Sequence, residues 1–375
     1  MIVDGVVSAV AACSGAAGFP ADEIVDAAGG YVVPGFIDLH MHGAYEQAFD
    51  SGRDDLLALC RRMPAHGVTG FLPTLSPVPG TEGLNLLEDL AGAVSAGTQV
   101  LGFHFEGPYI SLSGALPPSR LGAPGEGWMR AVIDAIRPRL PVFSVSPEYP
   151  EAPGLVRAMT ENGALAFITH TAASFRQTKE VIAAGARHAT HFYNVFPQPE
   201  APEPGVRACG AVEAIMAAPE VSVDFILDGE HVDPAAVEMA LTCKGAERVC
   251  LITDSMIGTG LPPGRFRAMG GDAIERACEG APTRFAHDSR LPGALYGSGL
   301  TMDQALRNAV RWLGLDLCSA VRLMSYNPAR VLGLEKRKGL VAEGFDADLV
   351  LLDKDLRVKM TWIGGRCCWP PGRNA

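Results

Sequence analysis

The sequence predicts an α/β protein: a (β/α)8 TIM-type barrel with a small β-sandwich domain built from both termini. Three observations carry this reading. Short apolar runs alternate with helical patterns about eight times, which implies a parallel sheet with helical crossovers. The polar residues suited to chemistry stand at the C-terminal ends of different runs, where barrel active sites are built. The two ends of the chain carry β-rich segments that are each too short to fold alone. Residues 1–33 and 334–375 are therefore expected to share one small β domain beside a barrel spanning 34–333.

Bulk properties agree with a large single core. The chain has 375 residues, 48% hydrophobic and 19% charged, which suits one barrel of this size. Gly (43) and Pro (28) are plentiful, as many tight connections require. A formal net charge of −11 with no basic face argues against a nucleic-acid partner. No apolar run is long enough for a transmembrane helix, and the N-terminus has no basic-then-apolar export pattern. The nine cysteines contain no Cys-x-x-Cys pair and read as free thiols, so a cytoplasmic location is expected.

Taken in order, Met1–Val10, Ile24-Val25 and Tyr31–Val33 read as short strands. The run Val33–Leu39 leads into His40-Met41-His42-Gly43. Helical patterns cover 54–66, 83–97, 126–136, 154–163, 175–185 and 234–241. Strand patterns cover 67–74, 99–105, 142–145, 165–169, 188–191, 221–226 and 249–253. Helices at 301–312 and 317–332 close the ring, and 346–353 and 358–363 return as strands of the small domain.

On a strand, alternate side chains share a face, so His40 and His42 point the same way. A bare His-x-His also fits two ordinary buried histidines. The remaining strand ends change the balance: Glu106, His170, His191, His231 and Asp254 each follow a separate apolar run. Together they form a His/carboxylate set that suits Zn2+ or Fe2+ better than Mg2+ or Ca2+. A metal held this way activates water and polarises a carbonyl, and a neighbouring carboxylate can shuttle the proton to a leaving nitrogen. That chemistry is hydrolysis of an amide or related C–N bond.

These residues resemble the amidohydrolase superfamily, and within it the N-acetylglucosamine-6-phosphate deacetylases. The motifs are Pro34-Gly35-Phe36-Ile37-Asp38-Leu39-His40-Met41-His42-Gly43, His104-Phe105-Glu106-Gly107-Pro108 and Thr190-His191-Phe192-Tyr193-Asn194. Asp228-Gly229-Glu230-His231, Thr253-Asp254, Gly297-Ser298-Gly299 and Asn327-Pro328-Ala329 continue the series in the same order. The resemblance implies Glu106, His170 and His191 as ligands of the main metal. It implies His40 and His42 as a second site, with Glu106 bridging and Asp254 contributing, so one or two ions. It implies Asp254 as the catalytic base, later the acid, and substrate contacts from His231, Asn194, Val195, Ala115, Leu295, Tyr296 and Gly297. The substrate implied is a small N-acetylated amino sugar carrying a 6-phosphate, handled by a homodimer.

The sequence departs from the family at the phosphate grip. Where relatives carry an Arg before Glu-Pro-Gly, this chain has Pro202. The segment 111–116 after Glu-Gly-Pro carries no basic residue. Arg207, or Arg120, is expected to substitute, because a phosphate dianion wants charge-assisted donors. The competing reading is an amidohydrolase for a different, non-phosphorylated N-acyl amine. A cyclic-amide hydrolase with a carbamylated lysine is disfavoured, since no Lys stands at a strand end and Lys179 falls in a helical run.

Overall fold

The computed structural model describes residues 1–12, 21–76, 80–122, 124–268, 270–278 and 280–370. Eight parallel strands form the central sheet: β1 (Phe36–Met41), β2 (Val68–Leu75), β3 (Gly102–Phe105), β4 (Leu140–Val145), β5 (Leu165–Ile168), β6 (His188–Ala189), β7 (Ser222–Ile226) and β8 (Val249–Ile252). They follow one another in sequence order around the sheet. β1 and β2 are buried along their whole length, which is why they read as continuous apolar runs. A strand covered on the inside by the barrel core and outside by helices has no face left for water.

Local sequence signals start the helices that cover the strands. Phe175–Ala184 starts at Ser174, whose hydroxyl caps the Gln177 N–H while Gln177 reaches back in a capping box. Pro234–Lys244 has Asp233 as its cap and Pro234 at its first position.

β8 returns to β1 through a few specific bonds. The Asp254 N–H donates to the His40 carbonyl at 2.8 Å. Asp38 accepts from Thr253 Oγ1 at 2.6 Å and from the Thr253 N–H at 3.2 Å. Burial pushes the Asp38 carboxyl up to about 7. Below this junction the gap is filled from outside: the Leu323 and Met324 carbonyls accept from Leu251 and Ile37 N–H groups at 2.9 and 2.8 Å. Those carbonyls are thereby withdrawn from a helix, so the expected helix 317–332 is two, Leu317–Arg322 and Tyr326–Val331.

Other boundaries differ as well. Ile24-Val25 is not a strand, and the expected strand 99–105 is interrupted at Leu101, which donates instead to Phe71. The helix expected at 83–97 runs over Thr81–Ala91. The sequence reading left out the helix Ala211–Met216, the hairpin Gly43–Ala44/Gln47–Ala48 and a three-stranded antiparallel sheet of Gly264–Arg267, Ala273–Arg276 and Arg284–Phe285 between β8 and the helix Met302–Leu313. That sheet has its own small core of Met256, Ile257, Ile274, Phe285 and Tyr296.

The ends of the chain do meet. Tyr31–Pro34 pairs antiparallel with Leu349–Leu352, followed by Val358–Ile363 and Arg366–Trp369. The hairpin Ile2–Val3/Val6–Val7 joins them through Val7 N–H to Phe345 O and Ala347 N–H to Gly5 O, both 2.8 Å. This antiparallel layer fits the β-sandwich expected of the small domain. Lys338 links it to the barrel, donating to Asp348 at 2.6 Å and to Gln99 at 2.9 Å.

Candidate active site

Every histidine or carboxylate at the centre of the barrel mouth sits at a strand end. His40 and His42 share one face of the end of β1, with their Nε2 atoms 3.2 Å apart. Glu106 follows β3, anchored by its N–H on the Leu75 carbonyl at 2.8 Å. Its Oε1 lies 3.0 Å from both His170 Nε2 and His191 Nε2, and its Oε2 lies 3.1 Å from His42 Nε2. Asp254 follows β8, with Oδ1 3.5 Å from His40 Nε2 and 3.6 Å from His42 Nε2. Two groups with ligand spacing result, His40/His42/Glu106 and Glu106/His170/His191, and they share Glu106.

The donor set fits a divalent cation. His170 Nδ1 donates to the Leu112 carbonyl at 2.6 Å, and His191 Nδ1 faces the Asn194 carbonyl at 3.3 Å. A ring proton on Nδ1 leaves a lone pair on Nε2. In both residues that lone pair faces an oxygen of Glu106, an arrangement that a shared cation makes favourable.

The electrostatics agree. Burial would lift Glu106, but the imidazoles around it, His40 among them, hold its carboxyl well below the usual range. Without a cation between them, an Nε2–H hydrogen bond to Glu106 overrides burial and carries His191 up to about 9, and a bound cation would take the place of that proton. Burial, reinforced by the neighbouring imidazoles of His104, His42 and His191 and opposed by Glu106, takes His40 well below its ordinary value. Burial also lifts Asp254 above the usual carboxylate range, partly offset by His42 and His191. An elevated carboxylate is a better proton acceptor.

Three of these residues have a left-handed backbone: His170 (φ 50°), His191 (φ 34°) and Asp254 (φ 47°). Non-glycine residues enter this region at a cost of order 1–3 kcal/mol each. In each case the chain turns sharply off the strand and points a side chain back over the barrel mouth.

The cluster forms the floor of a cavity of about 290 Å3. His231, Asn194, Val195, Ala115, Leu295, Tyr296 and Gly297 all line it. Gly297 has φ 56°, and a Cβ there would lie 2.1 Å from Met256 Cγ and 2.8 Å from the Asp254 carbonyl, so the wall needs glycine. His231 is oriented by Asp228, whose Oδ2 lies 2.7 Å from Nδ1, which turns Nε2 away from Asp228. Burial would raise Asp228, but the hydrogen bonds of His231 override it and hold it low.

Arg207 and Arg120 are elsewhere. Arg207 is on an exposed loop, its side chain 75% accessible and paired with Glu213 at 2.9 Å, outside the cavity of its own chain. Arg120 is occupied beneath the mouth, donating to the Ser76 carbonyl at 2.5 Å beside Asp50. The sequence reading also missed Leu116 and Met256 as cavity walls, and Asp228 as the partner of His231. Asp228 was visible in the Asp-Gly-Glu-His motif, three residues before His231. The two wall residues carry no signal beyond being apolar.

Convergent histidines and carboxylates at the C-terminal mouth of a (β/α)8 barrel define a metal-dependent hydrolase barrel. The chain belongs to the amidohydrolase family, whose sequence pattern matches residues 31–368. It is 32% identical over 349 residues to the N-acetylglucosamine-6-phosphate deacetylase of Lysinibacillus sphaericus, covering 91% of this chain and 86% of that protein. It is 32% identical over 339 residues to the N-acetylgalactosamine-6-phosphate deacetylase of Escherichia coli O157:H7, covering 89% and 86%. A crystal structure of N-acetyl-D-glucosamine-6-phosphate deacetylase from Mycobacterium smegmatis superposes with a TM-score of 0.84 at 33% identity, covering 98% of this chain and 94% of that one.

Proposed function

We propose that this amidohydrolase removes the acetyl group from an N-acetylated amino sugar 6-phosphate, with N-acetylglucosamine-6-phosphate as the leading substrate. The observation that carries the proposal is the placement of Asp254 beside two ligand groups that share Glu106, at the floor of a sugar-sized cavity. The similarity to sugar-phosphate deacetylases over nine-tenths of the chain supports it. Glu106, His170 and His191 would hold one ion, and His40 and His42 with Glu106 a second. Zn2+ or Fe2+ suits this nitrogen-rich set. When bound, the metal supplies Lewis-acid polarisation of the amide carbonyl and a lowered pKa for water.

The chain's own residues do the rest. Asp254 takes the proton of the attacking water and returns it to the leaving nitrogen, so one carboxylate serves as base and then acid. Its elevated proton affinity suits both steps. His231, fixed by Asp228, offers a polar contact to a sugar hydroxyl or phosphate. Ala115, Leu295 and Tyr296 wall the site against bulk water, and Asn194 and Val195 shape its side.

No Lys or Arg lines the described cavity. A homodimer whose neighbouring loop covers the mouth gives the exposed Arg207 a place as phosphate donor. The division into residues 1–33 and 334–375 for the small domain and 34–333 for the barrel is supported by the pairing of 31–34 with 349–352. A cytoplasmic location is supported by the eight described cysteines, all of them free thiols.

The test is acetate release from N-acetylglucosamine-6-phosphate, N-acetylgalactosamine-6-phosphate and unphosphorylated N-acetylglucosamine, with Zn2+ or Fe2+ supplied. The first is expected to react fastest. Equal rates with and without phosphate would remove the 6-phosphate from the assignment. Arg207→Ala is expected to raise KM about tenfold for the phosphorylated sugars only, the order of one charge-assisted contact.

A further inference from the structure

Asp224 stands in β7 and faces the barrel interior, fully buried and outside the cavity lining. Its carboxylate is a hub. It accepts from His188 Nε2 at 2.8 Å, from Thr190 Oγ1 at 3.1 and 3.2 Å, and from the backbone N–H of His191 at 2.5 Å. The far side of the His188 ring meets Ser222 Oγ at 2.8 Å. The Asp224 carbonyl also accepts from the Phe192 N–H at 2.8 Å.

A carboxylate accepts and does not donate, so the partners must donate. The single hydroxyl proton of Thr190 is directed to Asp224. The Thr190 oxygen then has only lone pairs left for His40 Nδ1, 3.4 Å away. His40 therefore carries its proton on Nδ1 and turns the Nε2 lone pair toward Glu106 and Asp254. In the same way, the bond to the His191 N–H pins the left-handed turn that aims His191 Nε2 at Glu106. His40 belongs to one ligand group and His191 to the other.

We infer that Asp224 is a positioning residue that holds both halves of the metal centre in register, fixing His40 through the Thr190 hydroxyl and His191 through its backbone N–H. The inference rests on reading this cluster as a metal centre, and it is independent of which acyl substrate is used.

The experiment compares wild type, Asp224→Asn and Ser222→Ala. Co2+ affinity is measured by chelator competition, the visible spectrum of the Co2+-loaded protein is recorded, and kcat and KM are measured at saturating metal. Asp224→Asn is expected to weaken Co2+ binding 10- to 100-fold. It is also expected to shift the visible bands and to lower kcat with KM within twofold. Ser222→Ala, which leaves the Asp224 contacts to Thr190 and His191 intact, is expected to match wild type in all of these. Wild-type affinity and spectrum in Asp224→Asn, with only a lower melting temperature, would make Asp224 purely structural and overturn the inference. If Asp224→Asn does not fold, Thr190→Val carries the test: weaker Co2+ binding, restored by Thr190→Ser, is expected, and unchanged binding and spectrum would refute it. Failure of wild type to bind Co2+ would defeat the metal-centre reading itself. Tight Co2+ binding without deacetylation would defeat only the substrate assignment.

Discussion

Asp254→Asn isolates proton transfer from metal binding, because the geometry separates the two. Asparagine has the same shape, and the bonds that hold this turn are made by the backbone: N–H to the His40 carbonyl and carbonyl from the Ser298 N–H, each 2.8 Å. The substitution therefore leaves the turn in place. Neither three-residue ligand group includes Asp254, so the metal is expected to stay. An amide cannot take a proton from water at neutral pH. The loss is then that of general acid–base catalysis, about 10²- to 10⁴-fold in kcat, or about 3–5 kcal/mol. KM should move little, since Asp254 is one of many residues around the cavity. The assay is acetate release at saturating substrate, with metal content of the same sample measured by mass spectrometry. A fully loaded Asp254→Asn protein with more than a tenth of wild-type kcat would refute the assignment of the base. A variant that lost its metal would show instead that Asp254 is mainly a ligand.

Two further predictions rest on other parts of the barrel. A chelator should lower the melting temperature by several degrees, because a ligand held at 100 times its Kd adds about 2.7 kcal/mol; an unchanged melt with metal removed would mean that the cluster is held by protein bonds alone. Asp303 should make stability acid-sensitive. Burial would raise its carboxyl, but the His66 hydrogen bond at 3.0 Å and the Arg307 pair at 2.9 Å bring it down to about 2. A depressed folded-state pKa gives stability that is complete above the unfolded value near 4 and is lost as pH falls toward 2. The amount is about 2 kcal/mol, and denaturant titrations of Asp303→Asn should lack that part of the pH dependence between pH 4 and 2.

The sequence was most legible where one physical rule acted locally. β1 and β2 are buried on both faces, so their apolar runs mark them directly. The histidine and carboxylate cluster was legible because barrel geometry sends every strand end to one mouth, so residues 40, 106, 170, 191 and 254 could be grouped before any distance was known. The sheet at 264–285 was not legible. Its strands read Gly-Arg-Phe-Arg and Ala-Ile-Glu-Arg, too short and too polar to show a period, and Arg276 is buried by donating to the Gly258 carbonyl at 2.7 Å, a tertiary contact. The break at Leu323-Met324 was invisible for the same reason, since the strands that claim those carbonyls are over 70 residues away at Leu251 and over 280 away at Ile37.

Arg207 shows a limit of a different kind. Charge chemistry asked for a cation near the phosphate, and Arg207 was the nearest cation in sequence to the position where Pro202 stands. Proximity along a loop does not place a side chain in a cavity, and within one chain Arg207 pairs with Glu213 in solvent. An exposed pair of this kind contributes roughly 0–1 kcal/mol, so Glu213 holds Arg207 only weakly. The same weakness that makes the pair unimportant for folding leaves Arg207 available for binding. Asp224 is the opposite case: buried, with every partner fixed, it has no freedom to rearrange and serves the site by holding His40 and His191 in place.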